Sequence, residues 1–469
     1  MRHLFALAAA EPSQLMPARM QMAFTLGVHV VLVPLGVAFT FITLIANYRA
    51  IRKGDDVALL LAQRWSKVAG VLFAVGAVTG TVLSFEMGLL WPGLMDNFGA
   101  AYGIPFMVEG IFFFLEAIFL AIYIYGWDRM SPWLHFWSGV PVVITGLGGT
   151  LAIVSANAWM NQPGGFTLKN GRVVEVVPLE VIFNQAFWYE GLHMLLAAYL
   201  VAGFMVASVY AVGMLRGRRD RYHRLGLLIP LTVAAIVVPL QFIVGDSTAR
   251  AVYKDQPIKF AALELVPKTA TDVPETIGGL WINGEIVGGI PIPGMASLLS
   301  GYSTDTEITG FETVPEEDRP PINVVHLSWD VMLGLGTFLL FIAAWFGFVW
   351  WRKRDIPKTK WFLRIVAISG VAAVLCMEAG WVLTETGRQP WVVYKVLRTS
   401  DAVTSASGIW GSFAIAMVIY AAVISAAVIV IRRMTKRWRE VGTSDHDVPY
   451  GPPPTDIDLT HSRSTKASS

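Results

Sequence analysis

Ionisable side chains inside long apolar stretches are the residues of this sequence best suited to chemistry. A charged side chain at the centre of a membrane span costs about 2.5–3.5 kcal/mol on insertion scales, so it needs a partner, a ligand or water. The apolar stretches contain two histidines and five glutamates of this kind: His29, His193, Glu86, Glu109, Glu116, Glu378 and Glu385. In a membrane protein, residues of these types indicate cofactor ligands or proton relays.

The spacing of the glutamates predicts which of them share a helix face. Glu109 and Glu116 are seven residues apart, as are Glu378 and Glu385, so each pair lies about two helical turns apart on one face. Carboxylate, imidazole and the thioether of Met332 are side chains that ligate or tune haem iron, and a His/Met pair is typical of an electron-carrying haem. From the residues alone, hydrogen bonds to neighbouring helices and ordinary core packing of Met332 remain alternatives.

The composition indicates that the chain that carries these residues is a membrane protein. Of 469 residues, 55% are hydrophobic and only 15% are charged, which is more apolar material than one soluble core could bury. The balance of 36 basic against 34 acidic residues gives no indication of nucleic-acid binding. The single cysteine, Cys376, excludes an intrachain disulfide and argues against a cysteine-ligated zinc or iron–sulfur site.

Hydropathy predicts an all-α, polytopic fold with about nine transmembrane helices. Windows of about 20 apolar residues predict spans at residues 22–47, 66–91, 104–126, 133–156, 188–214, 224–244, 326–352, 361–385 and 408–432. The odd number places the two termini on opposite sides of the membrane. Basic residues follow the odd-numbered spans, as at Arg49 to Lys53 and Arg216 to Arg224, so the positive-inside rule predicts an outer N-terminus and a cytoplasmic C-terminus.

Four regions follow from these spans. Residues 1–244 hold helices 1 to 6, 245–325 form one long outer loop, 326–435 hold helices 7 to 9, and 436–469 form a disordered cytoplasmic tail. The short apolar run at 4–10 is interpreted as a retained surface segment rather than a signal peptide. The loop is too long for a mere connection and is the candidate substrate site.

The predicted topology brings candidate residues to one side of the membrane. Six of them are expected near the outer ends of their helices: His29, Glu86, Glu109, His193, Met332 and Glu385. Ligand-type residues from six different helices therefore converge on one leaflet, which favours a cofactor site over unrelated structural roles.

Several segments resemble the large subunit of cytochrome bd quinol oxidases. The segment from Gly387 to Trp391 reads GRQPW and follows Trp381 and Glu385, and it is similar to the family's signature at the outer end of the eighth helix. Three further segments resemble family stretches in the same order, namely Arg19 to His29, Val108 to Glu116 and Ala156 to Pro163. The resemblance spans residues 13–435 and identifies the chain as similar to the short-loop branch.

The resemblance implies a role for each candidate residue. His193 and Met332 match the axial ligands of a low-spin haem b. His29, Glu109 and Glu385 match ligand positions of a high-spin haem b and a haem d, with the assignment between these haems, and the choice of haem d or a third haem b, left open. In the outer loop, Lys259 and Glu264 match the quinol-site pair.

The implied reaction is an electrogenic transfer of electrons from quinol to oxygen. Quinol is oxidised at the outer face, and protons for water formation come from the cytoplasm through the catalytic groups Glu116 and Glu378, which builds a proton motive force without pumping. Glu109 also counts among the catalytic groups, Arg388 balances a ligating carboxylate or haem propionates, and Trp381 contacts a cofactor. The implied location is the bacterial inner membrane.

The implied partners are a second large membrane subunit, a small single-helix subunit, quinol, oxygen and membrane lipid, with no nucleic acid. Ubiquinol and menaquinol are not distinguished. The sequence departs from the family at Asp330, where many members have an arginine, so the charge balance beside Met332 is expected to differ. A proton- or cation-coupled transporter and a haem protein without oxygen chemistry are the alternatives.

Overall fold

The computed structural model describes residues 12–169 and 172–439. The fold is all-α, as predicted, and within these ranges nine helices are long and apolar enough to cross a membrane. These are α1 (Leu15–Lys53), α2 (Asp56–Leu90), α3 (Pro92–Tyr125), α4 (Pro132–Asn161), α6 (Phe187–Leu215), α7 (Arg221–Asp255), α10 (Ile322–Lys353), α11 (Lys360–Gly387) and α13 (Ile409–Arg437). Shorter helices lie between them, namely α5 (Pro178–Ile182), α8 (Pro257–Leu263), α9 (Met295–Gly301) and α12 (Thr399–Ala402).

Short strands occur only in the connections of the described chain and form four antiparallel pairs. The strands are β1 (Phe166–Lys169), β2 (Arg172–Val176), β3 (Glu275–Ile277), β4 (Leu280–Ile282), β5 (Glu285–Val287), β6 (Ile290–Ile292), β7 (Trp391–Val393) and β8 (Leu397–Arg398). They pair as β1 with β2, β3 with β6, β4 with β5, and β7 with β8. The predicted surface segment at 4–10 and nearly all of the predicted tail lie outside the described residues, and α13 continues two residues past the predicted boundary at 435.

Most of the spanning helices extend beyond their predicted apolar windows. Helix α1 covers residues 15–53 where the hydropathy window covers 22–47, and α3 begins at Pro92 rather than at residue 104. Hydropathy detects the apolar part of a helix, whereas backbone hydrogen bonding continues into more polar residues. Glu109 consequently lies near the middle of the 34-residue α3 and not near its end.

The predicted long loop begins later than the sequence indicated. Helix α7 continues from the expected end at residue 244 to Asp255. In this polar extension the hydroxyls of Ser247 and Thr248 donate to the carbonyls of Ile243 and Val244, so the helix itself supplies their hydrogen-bond partners. The connection to α10 therefore covers residues 256–321. It carries α8, four strands and α9, with its own small apolar core.

The nine helices form two four-helix groups and one additional helix. Helices α1 to α4 pack together, and α6, α7, α10 and α11 form the second group. Helix α6 also packs against α1 and α4 and joins the groups, while α13 packs against α1 and α2. The largest buried apolar cluster includes residues of both groups, so the helices are held in one body.

Candidate functional site

His193 and Met332 face the interior of the second helix group. The ring nitrogens of His193, on α6, lie 3.2 and 3.3 Å from Nε2 of Gln241 on α7. A Cβ atom at Gly245 would lie 3.4 Å from the same ring. On the opposite side of the group, a Cβ atom at Gly380 of α11 would lie 2.9 Å from Sδ of Met332.

The two side chains lie at a similar level of the bundle. Gly336 lies one turn after Met332 on α10, and a Cβ atom there would lie 3.6 Å from the ring of Phe242 on α7. Phe242 is three residues before Gly245, which faces His193. The imidazole thus lies against α7 and the thioether against α11 of one bundle, and Gly245 and Gly380 let these helices approach the two side chains closely.

These residues fit a haem ligand pair. Oε1 of Gln241 is buried and has no hydrogen-bond partner within the described chain. Because the oxygen and nitrogen of an amide are nearly identical in shape, the two can be exchanged so that Oε1 accepts from an N–H of the His193 ring. The amide lies about equally close to both ring nitrogens, so it can bond either one and leave the lone pair of the other for iron, as in a metal-ligating histidine.

His29 has a hydrogen-bonding arrangement that defines its tautomer. Its Nδ1 lies 2.8 Å from Oγ1 of Thr79 on α2. The Thr79 hydroxyl has backbone carbonyls of Val75 and Gly76 at 3.1 Å as acceptors for its own hydrogen, so Oγ1 accepts from Nδ1–H. The free lone pair is therefore on Nε2, as ligation of a metal requires.

One face of α11 carries a row of polar groups. Glu378, Trp381, Glu385 and Arg388 are spaced by three or four residues and therefore share this face. Within the residues described by the structure, Oε1 of Glu378, Nε1 of Trp381, and Nε and Nη1 of Arg388 are buried without a hydrogen-bond partner. Buried polar atoms without partners are rare, and a row of them indicates a place for a polar group from outside the chain.

Glu385 is held by two donors. Its Oε1 accepts from Nδ2 of Asn157 on α4 at 2.5 Å, and its Oε2 accepts from Nη2 of Arg388 at 2.6 Å. Arg388 is only 3% exposed, so its charge is paired with Glu385 while two of its nitrogens stay available. These nitrogens fit an anionic group such as a haem propionate.

A chain of buried polar residues continues from Glu385 and was not predicted from the sequence. Asn161 donates to Oδ1 of Asn157 at 3.1 Å and to Oε1 of Glu190 at 3.0 Å, and Gln256 donates to Oδ1 of Asn161 at 3.1 Å. The two asparagines lie in the segment from Ala156 to Pro163, where sequence reasoning found no chemistry. Their spacing of four residues at the end of an apolar helix was the available signal.

Glu109 and Glu116 share a face of α3, as predicted. Oε1 of Glu116 lies 3.3 Å from the position of a Cβ atom at Gly146, so this carboxyl faces α4. Both carboxyls are half-buried. The described hydrogen bonds do not join Glu109 to His29 or to Glu385, and its predicted association with them is not visible in these contacts.

Glu86 belongs to a separate buried network. Its carboxyl accepts from Nε2 of Gln21 at 2.8 Å and lies 2.5 Å from Oγ1 of Thr25, both on α1. Ser412 of α13 donates to Oε1 of Gln21 at 2.7 Å, which extends the network to a third helix. These hydrogen bonds compensate for the free-energy cost of placing the Glu86 carboxyl inside the membrane, so its position does not require a cofactor.

Lys259 of α8 lies beside the Glu385 network. Its ammonium donates to the carbonyl of Thr384 at 3.5 Å, and its side chain is 4% exposed. Burial lowers the pKa of Lys259 to about 8, and nearby Arg388 acts in the same direction, whereas Glu190 and Glu385 oppose it. A cleft of about 230 Å³ adjoins this lysine. It is also lined by Gly387, Gln389, Trp391 and Tyr394.

Glu264, directly after α8, has different neighbours. It is 5% exposed, and its Oε2 has no hydrogen-bond partner among the described residues. Burial raises the pKa of Glu264 to about 8, with further contributions from the carboxylates of Glu275 and Asp330. Lys259 and Glu264 therefore do not share one ionic environment: the lysine faces the Glu385 network and the glutamate faces α10.

Asp330 connects the long loop to α10. Its Oδ2 accepts from the backbone N–H of Gly278 at 2.6 Å and lies 3.4 Å from Nε2 of His326. The carboxylate thus forms a loop contact two residues before Met332.

Comparison with known proteins identifies the family. The model of the family described as "Cytochrome bd terminal oxidase subunit I" matches residues 17–438. The chain belongs to this family. It is 34% identical over 422 residues to a putative cytochrome bd menaquinol oxidase subunit I of Bacillus subtilis, which covers 88% of this chain and 94% of the relative. Cytochrome bd ubiquinol oxidase subunit 1 of the same organism is 28% identical over 469 residues, covering 96% and 99%.

A solved structure agrees with the family assignment. The bd oxidase structure from Geobacillus thermodenitrificans matches with a TM-score of 0.86 and 32% identity, covering 91% of this chain and 99% of that chain. The resemblance seen in the sequence is therefore confirmed, and the transporter alternative is set aside. Membership makes the chain subunit I of a haem-containing terminal oxidase, in complex with a subunit II, and a multi-pass bacterial membrane protein.

Proposed function

We propose that this chain oxidises quinol at its 256–321 connection and contains the site where oxygen is reduced to water. The observation that carries the proposal is the polar face of α11. There Glu385 is held between Asn157 and Arg388, and two nitrogens of Arg388 are buried without a partner in the described chain. Such a face fits a ligating carboxylate and a counter-charge for an anionic cofactor.

The arrangement of the side chains supports a proposed set of haem ligands. His193 and Met332 are proposed to hold a low-spin haem b, supported by their positions on α6 and α10 of one bundle, where Gly245 and Gly380 let α7 and α11 approach these side chains closely. His29, Glu109 and Glu385 are proposed to hold a high-spin haem b and a haem d, with Trp381 against one of them. When bound, these haems supply electron storage and an open iron position for oxygen.

Two residues of the connection are proposed to act on quinol. Glu264 accepts a proton from a quinol hydroxyl, because a buried carboxyl with a pKa near 8 is a suitable base near neutral pH. Lys259 donates a hydrogen bond to a quinone oxygen. Because the two groups have separate surroundings, we propose that they act on different oxygens of the ring.

Protons for water formation are proposed to enter from the opposite side of the membrane. The basic residues that follow the odd-numbered spans support a cytoplasmic C-terminus and, with it, an outer position for the 256–321 connection. Glu116, two turns from Glu109, and Glu378, two turns from Glu385, are the proposed relays. Charge then crosses the membrane without a pump, and the enzyme is electrogenic.

Quinol oxidation by the purified complex tests the role of the connection. The rate is expected to rise with pH as Glu264 loses its proton, with a midpoint near its pKa of about 8. Glu264→Gln should lower the rate by at least about 100-fold, since general-base catalysis contributes a factor of that order. Lys259→Ala should raise KM for the quinol, with normal haem content in both variants.

The matched control is Glu285→Gln, because Glu285 is an exposed carboxylate of the same connection. This variant should oxidise quinol as the wild type does. A wild-type rate in Glu264→Gln, measured in complex with normal haem content, would show that quinol is oxidised elsewhere.

A further inference from the structure

Two buried polar atoms lie close together where the 256–321 connection meets α10. Oε2 of Glu264 and Nε1 of Trp329 are both buried, and neither has a hydrogen-bond partner within the described chain. The carboxyl oxygen is an acceptor and the indole N–H is a donor. Buried polar atoms without partners are rare, so an acceptor and a donor side by side indicate a place for a polar group from outside the chain.

The indole N–H is near enough to act on the carboxyl. Burial raises the pKa of Glu264, and the carboxylates of Glu275 and Asp330 raise it further, whereas the N–H of Trp329 favours the ionised form. The N–H and Oε2 are nevertheless not hydrogen-bonded to each other. A donor that lies close to a carboxyl without bonding it can bond an oxygen that the carboxyl also contacts.

An apolar core adjoins this donor and acceptor. Phe260 and Leu263 of α8 are buried in the small core of the connection, and Trp329 and Met332 of α10 pack against it. Trp329 is three residues before Met332 and therefore shares a helix face with it. A quinol has an apolar ring with a hydroxyl at each end. Apolar walls with one donor and one acceptor are therefore suited to one end of this ring.

We propose that Trp329 binds the same quinol oxygen from which Glu264 removes the proton. The quinol hydroxyl donates to Oε2 of Glu264 and accepts from the indole N–H of Trp329. When its O–H bond breaks, the proton bonds to Oε2 and the electron pair stays on the quinol oxygen. The indole N–H stabilises this developing negative charge, as a donor in an oxyanion hole does. This inference rests on the proposed role of Glu264 as the base for quinol.

The test is quinol oxidation by the purified complex carrying Trp329→Phe, which keeps an aromatic ring and removes the N–H. At normal haem content, kcat/KM for the quinol should fall by about tenfold or more, because a hydrogen bond to a charged oxygen is lost. The oxidised form of the same quinol, added as a competing inhibitor, should bind about two- to tenfold more weakly, because its carbonyl also accepts from this N–H. A wild-type value of either constant would overturn the proposal.

The matched control is Trp281→Phe, because Trp281 packs against the same small core, where its ring lies 5.0 Å from that of Phe311. This variant should keep both wild-type constants, and an equal loss in the two variants would assign the effect to packing. If Trp329→Phe does not assemble with haem, the tryptophan analogue with sulfur in place of the indole N–H decides at this position. Assembly with both constants impaired supports the proposal, and any other result contradicts it.

A double variant with Glu264→Gln and Trp329→Phe separates this inference from the proposed function. Two residues that act on one oxygen are not additive in their effects, so the double variant should be nearly as slow as Glu264→Gln alone. If the two losses multiply instead, the tryptophan acts independently, and only the proposal for Trp329 is wrong. A wild-type rate in Glu264→Gln would contradict the proposed function itself.

Discussion

At the scale of single residues, the candidate site depends on glycines, which have no side chain, as well as on its proposed ligands. Gly380 has no side chain at the point where α11 passes Met332, and Gly245 has none where α7 passes His193. The sequence indicated His193, because a histidine is unusual in an apolar helix, and the family resemblance indicated Met332. It did not indicate these glycines, because their importance depends on which helix they face.

Gly380→Ala tests this requirement. The added Cβ atom would lie 2.9 Å from Sδ of Met332, which forces the thioether away from its position. We expect weaker low-spin ligation, measured as partial loss of the low-spin haem absorption in the purified complex. The control is Gly334→Ala on α10, since no atom lies within 4 Å of a Cβ atom there. Equal spectra for the two variants would contradict the proposed ligand.

Other residues show where sequence reasoning reached its limit. Glu385 and Arg388 were identified by the motif from Gly387 to Trp391 and its surroundings. Asn157 and Glu190 were not, because an amide and a carboxylate at helix ends are common and only their tertiary contacts bring them to Glu385. Lys259 and Glu264 were expected to act as a pair, but α8 turns them toward different neighbours.

At the scale of elements, hydropathy predicted the number and order of the spanning helices but not their ends. Apolar side chains report the part of a helix inside the membrane, whereas capping and hydrogen bonds decide where it ends. Asp55 illustrates this point, because it accepts from the N–H of Ala58 at the start of α2. The same carboxylate accepts from Arg49 of α1 at 2.7 Å and from two nitrogens of Arg221 of α7 at 2.8 and 2.6 Å.

Asp55→Asn tests this junction of three helices. Burial alone would raise the pKa of Asp55, but the hydrogen bonds from Arg221 and Arg49 prevail and hold it below the usual aspartate range. The ion pairs of Asp55 with Arg221 and Arg49 therefore stabilise the fold at neutral pH. This stabilisation is lost as the pH falls through the lowered pKa of Asp55. We expect the variant to lose about 3 kcal/mol in the free energy of unfolding, seen as a lower Tm.

Asp56→Asn is the matched control for this change, because Asp56 is the exposed neighbour of Asp55. Its Tm should equal that of the wild type. A difference between wild type and Asp55→Asn that persists undiminished at strongly acidic pH would show that the charge is not the source of the stabilisation.

At the scale of the whole molecule, the residues of the proposed reaction are distributed between the two four-helix groups. The second group contains His193 and Met332, and its α7–α10 connection contains Glu264. The first group contributes His29, Glu109 and Glu116, and α11 brings Glu385 to α4 through Asn157. The order of helices was predictable from the sequence. The arrangement in two groups was not, because it depends on packing between helices distant in the chain.

Glu116→Gln tests the proposed direction of proton movement across this arrangement. A glutamine keeps the size of the side chain but cannot alternate between charged and neutral forms. Turnover should fall by about tenfold or more, while reduction of the haems by quinol stays largely intact. In sealed vesicles the wild type should release the protons of quinol at the outer face of the protein. It should take up the protons for oxygen reduction from the cytoplasmic face. Uptake from the outer face without a membrane potential would exclude the proposed inner route.

The most direct test of the central claim is the absorption spectrum of the purified complex after addition of quinol, recorded for the wild type and for Met332→Leu. The wild type should show reduced low-spin haem together with the remaining haems. Met332→Leu, which keeps a side chain of similar volume but has no thioether, should assemble and lose the low-spin signature alone. A wild-type complex without haem, or a variant with an unchanged low-spin band, would contradict the assignment of His193 and Met332 as the ligands of the electron-accepting haem.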